Sequence, residues 1–144
     1  MSYTNQLTEV MYPLGGRHPV DTAAAAIAYT SYVSLANYHR AFILIDAGVF
    51  AGTGHLDIQV YQALNTSGGS PKVITGKALT QTLVGGAYYG IEIQTEELDV
   101  DGGFDCIAVG YTVTHANCLF GITIFGLEPR YMPTPTTNWQ EVIG

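Results

Sequence analysis

The sequence predicts an all-β fold, an antiparallel β-sandwich of about eight strands, jelly-roll-like, with an extended arm at each end. Three observations predict it. Seventeen glycines and ten tyrosines, with Thr, Val and Ile in the periodic segments, favour strands joined by tight turns over helices. Apolar residues recur with period two, not 3.6. The segments that carry this pattern are short and repeat at intervals of roughly 8 to 16 residues, the spacing of two packed antiparallel sheets. A chain of 144 residues is long enough for one core without a disulfide or metal. The expected division is an amino-terminal arm over 1–21, a sandwich over 22–127 and a Pro-rich carboxy-terminal arm over 128–144.

Residues 1–21 show no periodicity and carry Pro13, Gly15-Gly16 and Pro19, hence the arm. Thr22 to Leu35 holds four consecutive alanines, but Tyr29, Tyr32 and Val33 favour a strand. His39 to Phe50 is an apolar strand. His55 to Leu64 alternates, with Leu56, Ile58, Val60 and Leu64 on one face and His55, Asp57, Gln59 and Tyr61 on the other. Asn65 to Pro71 is a loop by composition, and short segments follow around Lys72–Ile74 and Leu79–Leu83 with a turn at Thr75-Gly76. Tyr88 to Gln94 places Tyr89, Ile91 and Ile93 inward. Phe104 to Thr114 and Cys118 to Gly126 complete the set, with Ile107, Val109, Tyr111 and Val113, then Phe120, Ile122 and Ile124, on their apolar sides. Beyond Glu128, prolines 129, 133 and 135 forbid a central strand, and Trp139 is an available anchor.

Only 12% of residues are charged and the net charge is -7, against about 25% charged in typical domains. That shortage points to a protein that buries surface against neighbours. The five basic residues, Arg17, Arg40, Lys72, Lys77 and Arg130, form no run, so nucleic acid is not expected as a partner. The start MSYTNQLTEV lacks a basic and an apolar region, and no apolar run reaches membrane-spanning length, so the expectation is a chain made intracellularly with no membrane partner. If His115-Ala116-Asn117 is the bend of a hairpin, Cys106 and Cys118 stand roughly 27 Å apart along the ribbon, which predicts two free thiols.

Motifs for catalysis are missing. There is no G-x-S-x-G or H-E-x-x-H, and the phosphate-loop-like Gly69 to Lys77 fails at Pro71 and Ala78. His18, His39, His55 and His115 lack metal-ligand spacing. Asn65-Thr-Ser67 is a glycosylation sequon without a secretory signal. The expectation is a non-enzyme without cofactor. The most charged stretch, Glu97-Leu-Asp-Val-Asp-Gly-Gly-Phe-Asp105, has two readings. Asp99, Asp101 and Asp105 offer hard oxygen ligands for a cation, but the spacing fails an EF-hand, which would need ligands where Gly103 and Gly110 stand. The favoured reading is a helical turn over Glu96–Leu98, a glycine bend at Asp101–Gly103 and a strand start at Phe104. A glycoside-hydrolase carboxylate pair is weaker, because such pairs face each other across a cleft.

Four segments in order, Ser34-Leu-Ala-Asn-Tyr-His-Arg-Ala41, Ile74-Thr-Gly-Lys-Ala-Leu-Thr80, Glu96-Glu-Leu-Asp-Val-Asp-Gly-Gly-Phe-Asp105 and Glu128-Pro-Arg-Tyr131, resemble a group of small tailed-bacteriophage virion structural proteins encoded among head genes. The resemblance covers residues 30 to 140, roughly, and departs at the longer tyrosine-rich amino-terminal part. It implies a capsid decoration or cement protein on the outside of the phage head, synthesised in the host cytoplasm, with the major capsid protein and further copies of itself, as a dimer or trimer, as partners. No catalytic residue comes with it. The arms would supply the interface through Tyr3, Tyr12, Arg17, Tyr131 and Trp139, with Tyr29, Tyr32 and Tyr38 as further amphipathic contacts. The alternatives are a carbohydrate- or receptor-binding jelly-roll module, using Tyr88-Tyr89 with Asp99 to Asp105, and a head-tail connector or tail component.

Overall fold

The computed structural model describes residues 6–79, 85–131 and 138–143. After a helical turn, α1 (Leu7–Val10), come nine strands: β1 (Met11–Thr22), β2 (Ala25–Tyr29), β3 (Val33–Ser34), β4 (Tyr38–Phe50), β5 (His55–Ala63), β6 (Lys72–Leu79), β7 (Ala87–Gln94), β8 (Cys106–Thr114) and β9 (Cys118–Pro129). A 3-10 turn, Thr95–Glu97, follows β7. One antiparallel sheet has the order β1-β9-β4-β7; the other has the order β2-β8-β5-β6, with β3 also on β8.

β2 and β3 are two pieces of one strand. Tyr29 pairs with Gly110 and Val33 with Ile107 further along the same β8. Between them Thr30 leaves the ladder, yet its N–H still donates to the Val109 carbonyl and its hydroxyl accepts from the Val109 N–H at 3.0 Å. Counted so, the described residues form eight strands, and the first pairs with the last, the second with the next to last, and so inward to β5 with β6. A long two-stranded ribbon wound into two facing sheets is the jelly roll.

The period-two pattern fills the space between the sheets. Ala41, Ile43 and Ile45 of β4 and Phe120, Ile122 and Ile124 of β9 face Leu56, Ile58 and Val60 of β5 and Ile107, Val109 and Val113 of β8, all essentially inaccessible. Each of these Val, Leu, Ile and Phe side chains contributes about 1.5–3 kcal/mol. β8 is buried on both faces from Cys106 to Gly110. On its outer face the Tyr29 and Tyr61 rings meet edge to face at 5.1 Å across Gly110, where a Cβ would stand 2.7 Å from the Tyr61 ring.

The structure differs from expectation at five places. Residues 11–21 are an edge strand along β9, not a free arm. Pro13 and Pro19 sit at the two register shifts, between Pro13 and Gly15 and between Arg17 and Val20, where an edge strand tolerates a missing N–H. At the other end β9 runs to Pro129, and Asn138 returns to the body: its backbone N–H donates to the Tyr12 hydroxyl and its side chain to the Pro13 carbonyl, both at 2.9 Å. The Thr75-Gly76 turn is a bulge inside β6, filled by the Gln59 amide, which donates to the Ile74 and Lys77 carbonyls. Finally, β8 and β9 lie in different sheets, so His115–Asn117 is a crossing and not a hairpin bend. Both cysteines are nevertheless free. Leu64, placed on the inner face by alternation, lies past the strand end and is exposed. Of the expected Leu79–Leu83 segment, Leu79 ends β6 and 80–83 fall outside the described residues.

Gly16 separates the strand from the arm description. It has φ +139°, and a Cβ there would lie 2.0 Å from the Ile122 carbonyl oxygen. Gly16→Ala should therefore cost about 2 kcal/mol or more in urea unfolding; a free arm would register no change.

Candidate functional site

The charged stretch after β7 closes one end of the sandwich. Gln94 begins the 3-10 turn, and its N–H donates to the Glu97 carboxylate at 2.8 Å. Leu98 then drops into the core, 5% exposed. The Asp99 N–H donates to the Oε1 of buried Gln62 at 2.8 Å, which ties the loop to β5. The Asp99 carboxylate takes the Lys72 ammonium on one oxygen and the Gly102 N–H on the other, while Lys72 also stands 4.1 Å from the Phe104 ring centroid. The bend closes with the Phe104 N–H on the Asp99 carbonyl and Gly103 at φ +82°. This matches the turn reading, with the strand beginning at Cys106 instead of Phe104.

The three candidate cation ligands are not brought together. Asp99 is engaged as described, Asp101 is exposed at the bend, and Asp105 accepts from the Cys106 thiol at 3.2 Å. Among the described residues no three His, Cys, Asp or Glu side chains gather as a metal group would require. The structure does assemble one pair that sequence spacing hid: His55 and His115 meet edge to face with ring centroids 5.3 Å apart, because β5 and β8 pair His55 with Thr114.

The expected interface residues have separate fates. Tyr3 lies outside the described residues. Tyr12 is only 6% exposed, its hydroxyl held by Asn138, so it is a core residue. The Arg17 guanidinium lies over the Phe120 and Tyr111 rings, 4.4 and 5.0 Å from their centroids, where the two rings themselves meet edge to face, and it donates to the Thr22 hydroxyl. It faces inward because Arg17 pairs with inward-facing Ile122. Trp139 is partly buried, its indole N–H enclosed without an acceptor among the described residues. Of the four that are described, Tyr131 alone stands open, 77% exposed. The carbohydrate constellation is divided as well: Tyr88 pairs with Asp46 near one end of the sandwich, while Asp99 to Asp105 cap the other, where Gln94 pairs with Arg40.

Two shallow cavities mark the ends. One, of about 530 Å³, is lined by Val49, Ala51, Ala116, Leu119, Asp21 and Asn117. The other, of about 320 Å³, is lined by Leu35, Leu98, Val100 and Phe104 with His39 and Arg130 among its polar rim. A third, of about 400 Å³, lies beside the bulges of β1.

Two titrations test this local chemistry. Lys72 first, then the Gly102 N–H, hold the Asp99 carboxyl below its ordinary value. Its contribution to stability is then complete above the ordinary carboxylate range and is lost as pH falls through the depressed value. Carboxyl-carbon NMR should show Asp99 titrating below that range, and Lys72→Met should move it up. Burial first, then Asp105, pushes the Cys106 thiol up to about 11, and burial likewise raises Cys118. Alkylation at pH 8 should be slow for both thiols in the native chain and rapid in urea, since the thiolate is the reacting species.

No protein-family model matches the chain, and no curated protein is significantly similar to it. Among solved structures it is similar to that of infectious bursal disease virus Gx strain, with 10% identity and a TM-score of 0.43 over 85% of this chain and 33% of that one. The Gt strain structure aligns at 10% identity and TM-score 0.34, over 92% of this chain and 42% of that one. A structure of Desmodium yellow mottle tymovirus aligns at 11% identity and TM-score 0.32, over 90% and 94%. The chain thus spans about a third of the length of the first of these.

Proposed function

We propose that this chain is a structural protein of a virion shell, a decoration or cement protein seated on the outside of a phage head. One observation carries the reading: the sandwich leaves large apolar side chains open at both ends while holding little charge anywhere. Val49 and Tyr88 at one end, and Val100 and Tyr131 at the other, are each more than 60% exposed, and only 12% of the chain is charged. The cavities at both ends have apolar walls. A catalyst concentrates its chemistry at one concave place, whereas a part laid into a lattice touches neighbours on several sides and needs apolar area there. The jelly-roll order and the ordered segments that resemble phage head proteins agree with that use.

Tyr131 supports a gripping role better than the amino-terminal strand does. It stands exposed past the end of β9, while Asn138 bonds the Tyr12 hydroxyl on the body. Removal of residues 1–20 would strip β1 from the sheet, so arm function is better tested at Tyr131. Tyr131→Asp should leave the melting temperature unchanged and weaken cosedimentation with phage heads depleted of this protein at least tenfold; equal cosedimentation would exclude this contact. Cryo-electron microscopy of particles carrying the chain decides its place. Many copies spread over the shell support the cement role, while a single ring at one vertex would replace it with a connector or tail role.

A further inference from the structure

A sandwich has four edge strands, and each exposes backbone N–H and C=O groups that can template pairing with another chain. Here three of the four are blunted. β1 carries Pro13 and Pro19 at its two bulges, and the Asn138 amide caps the Pro13 carbonyl. β6 carries Lys72 and Lys77 and the bulge filled by Gln59. At β7 the Lys77 ammonium caps the Glu92 carbonyl at 2.7 Å and pairs with Glu97 at 3.0 Å. Charge, proline, bulges and side-chain caps are the devices that keep edges from pairing.

β2 has almost none of them. No Asp, Glu, Lys or Arg stands between Asp21 and Arg40, and no proline. Ala23 to Ile27 are all exposed, and Ile27 and Tyr29 remain 43% and 46% open. A bulge between Ala25 and Ala28 raises the local twist but places no charge or cap on the outward side. Among the described residues nothing but β8 bonds the backbone of Ala25–Tyr29.

We propose that β2 is a dimer edge: two copies pair antiparallel through Ala23–Tyr29 and join their sheets across a two-fold axis. The occupant is a second copy for three reasons. Alanines on both sides let a second backbone approach to about 4.8 Å, but they offer no side-chain pockets by which a foreign peptide would be selected. Two chains of net charge -7 repel over most of their surface and meet here where neither carries charge. Because β1, β6 and β7 are blunted, β2 of one copy finds only β2 of another, which closes the assembly at two and prevents filaments. The inference stands on edge chemistry and does not depend on the shell reading.

Sedimentation velocity of the full chain over a concentration series tests it. The wild type should reach twice the monomer mass. Ala24→Lys with Ala26→Lys, both at exposed positions, should stay at monomer mass with an unchanged far-ultraviolet spectrum, while Thr75→Lys on β6 should dimerise as the wild type does. Hydrogen exchange on the wild type is the second measurement: amides of Ala24 to Ile27 should gain protection at least tenfold as concentration rises, without change in β6 or β7. A wild type that is monomeric throughout, a folded double variant that still dimerises, or concentration-independent exchange at those amides would each overturn the proposal.

Discussion

The fold hangs on the position of β9 between β1 and β4. Tyr12 to Thr22 pair along one side of it and Tyr38 to Phe50 along the other, so the last strand of the chain joins the first to the third. Its inward residues Phe120, Ile122 and Ile124 are the centre of one inner face. Its small positions let other groups close in: Tyr38 packs on Gly126 and Pro19 on Gly121. Without β9, β1 has no partner and β4 keeps only β7. A hydrophobic core of this kind is non-directional; the direction comes from which strands the ribbon brings to one another.

That architecture also decides what the few charges do. Four of the five basic residues are committed within the molecule. Arg17 lies over two rings, Arg40 ties Glu92 to Glu128 across neighbouring strands, and Lys72 and Lys77 hold Asp99 and Glu97 on the closing loop. Exposed pairs of this sort stabilise little by themselves. Their greater effect is positional, since Lys72 and Lys77 fasten the loop after β7 onto the opposite sheet. With only 12% of its residues charged, the chain carries little charge for a surface in water.

The strands were legible in the sequence because period-two alternation reports directly which side chains face the core; Leu56, Ile58 and Val60, or Ile107, Val109 and Val113, could be assigned by that rule alone. The glycine bend after Glu97 was legible because Gly102-Gly103 leaves little else for the chain to do. Boundaries failed where local signals have two meanings. Pro13, Gly16 and Pro19 mark a loop in isolation and a bulged edge strand once β9 lies beside them. His115-Ala116-Asn117 looks like a hairpin bend, yet whether a short connection turns back within a sheet or crosses to the other depends on partners far away in sequence. The interface residues were least legible. Tyr12 and Arg17 are amphipathic side chains suited equally to a partner and to the open end of a core, and only pairing with inward positions of β9 assigns them to the core.

The winding of the ribbon has a consequence in time. A strand order that pairs first with last leaves the growing chain without its central partner until residues 118–129 have been made, so the two sheets close late in folding. Until then β1 and β4 present apolar faces with nothing to cover them, and the long loops that must close before those contacts form make such folding slow. The finished surface therefore becomes available late and all at once, when β9 docks between β1 and β4.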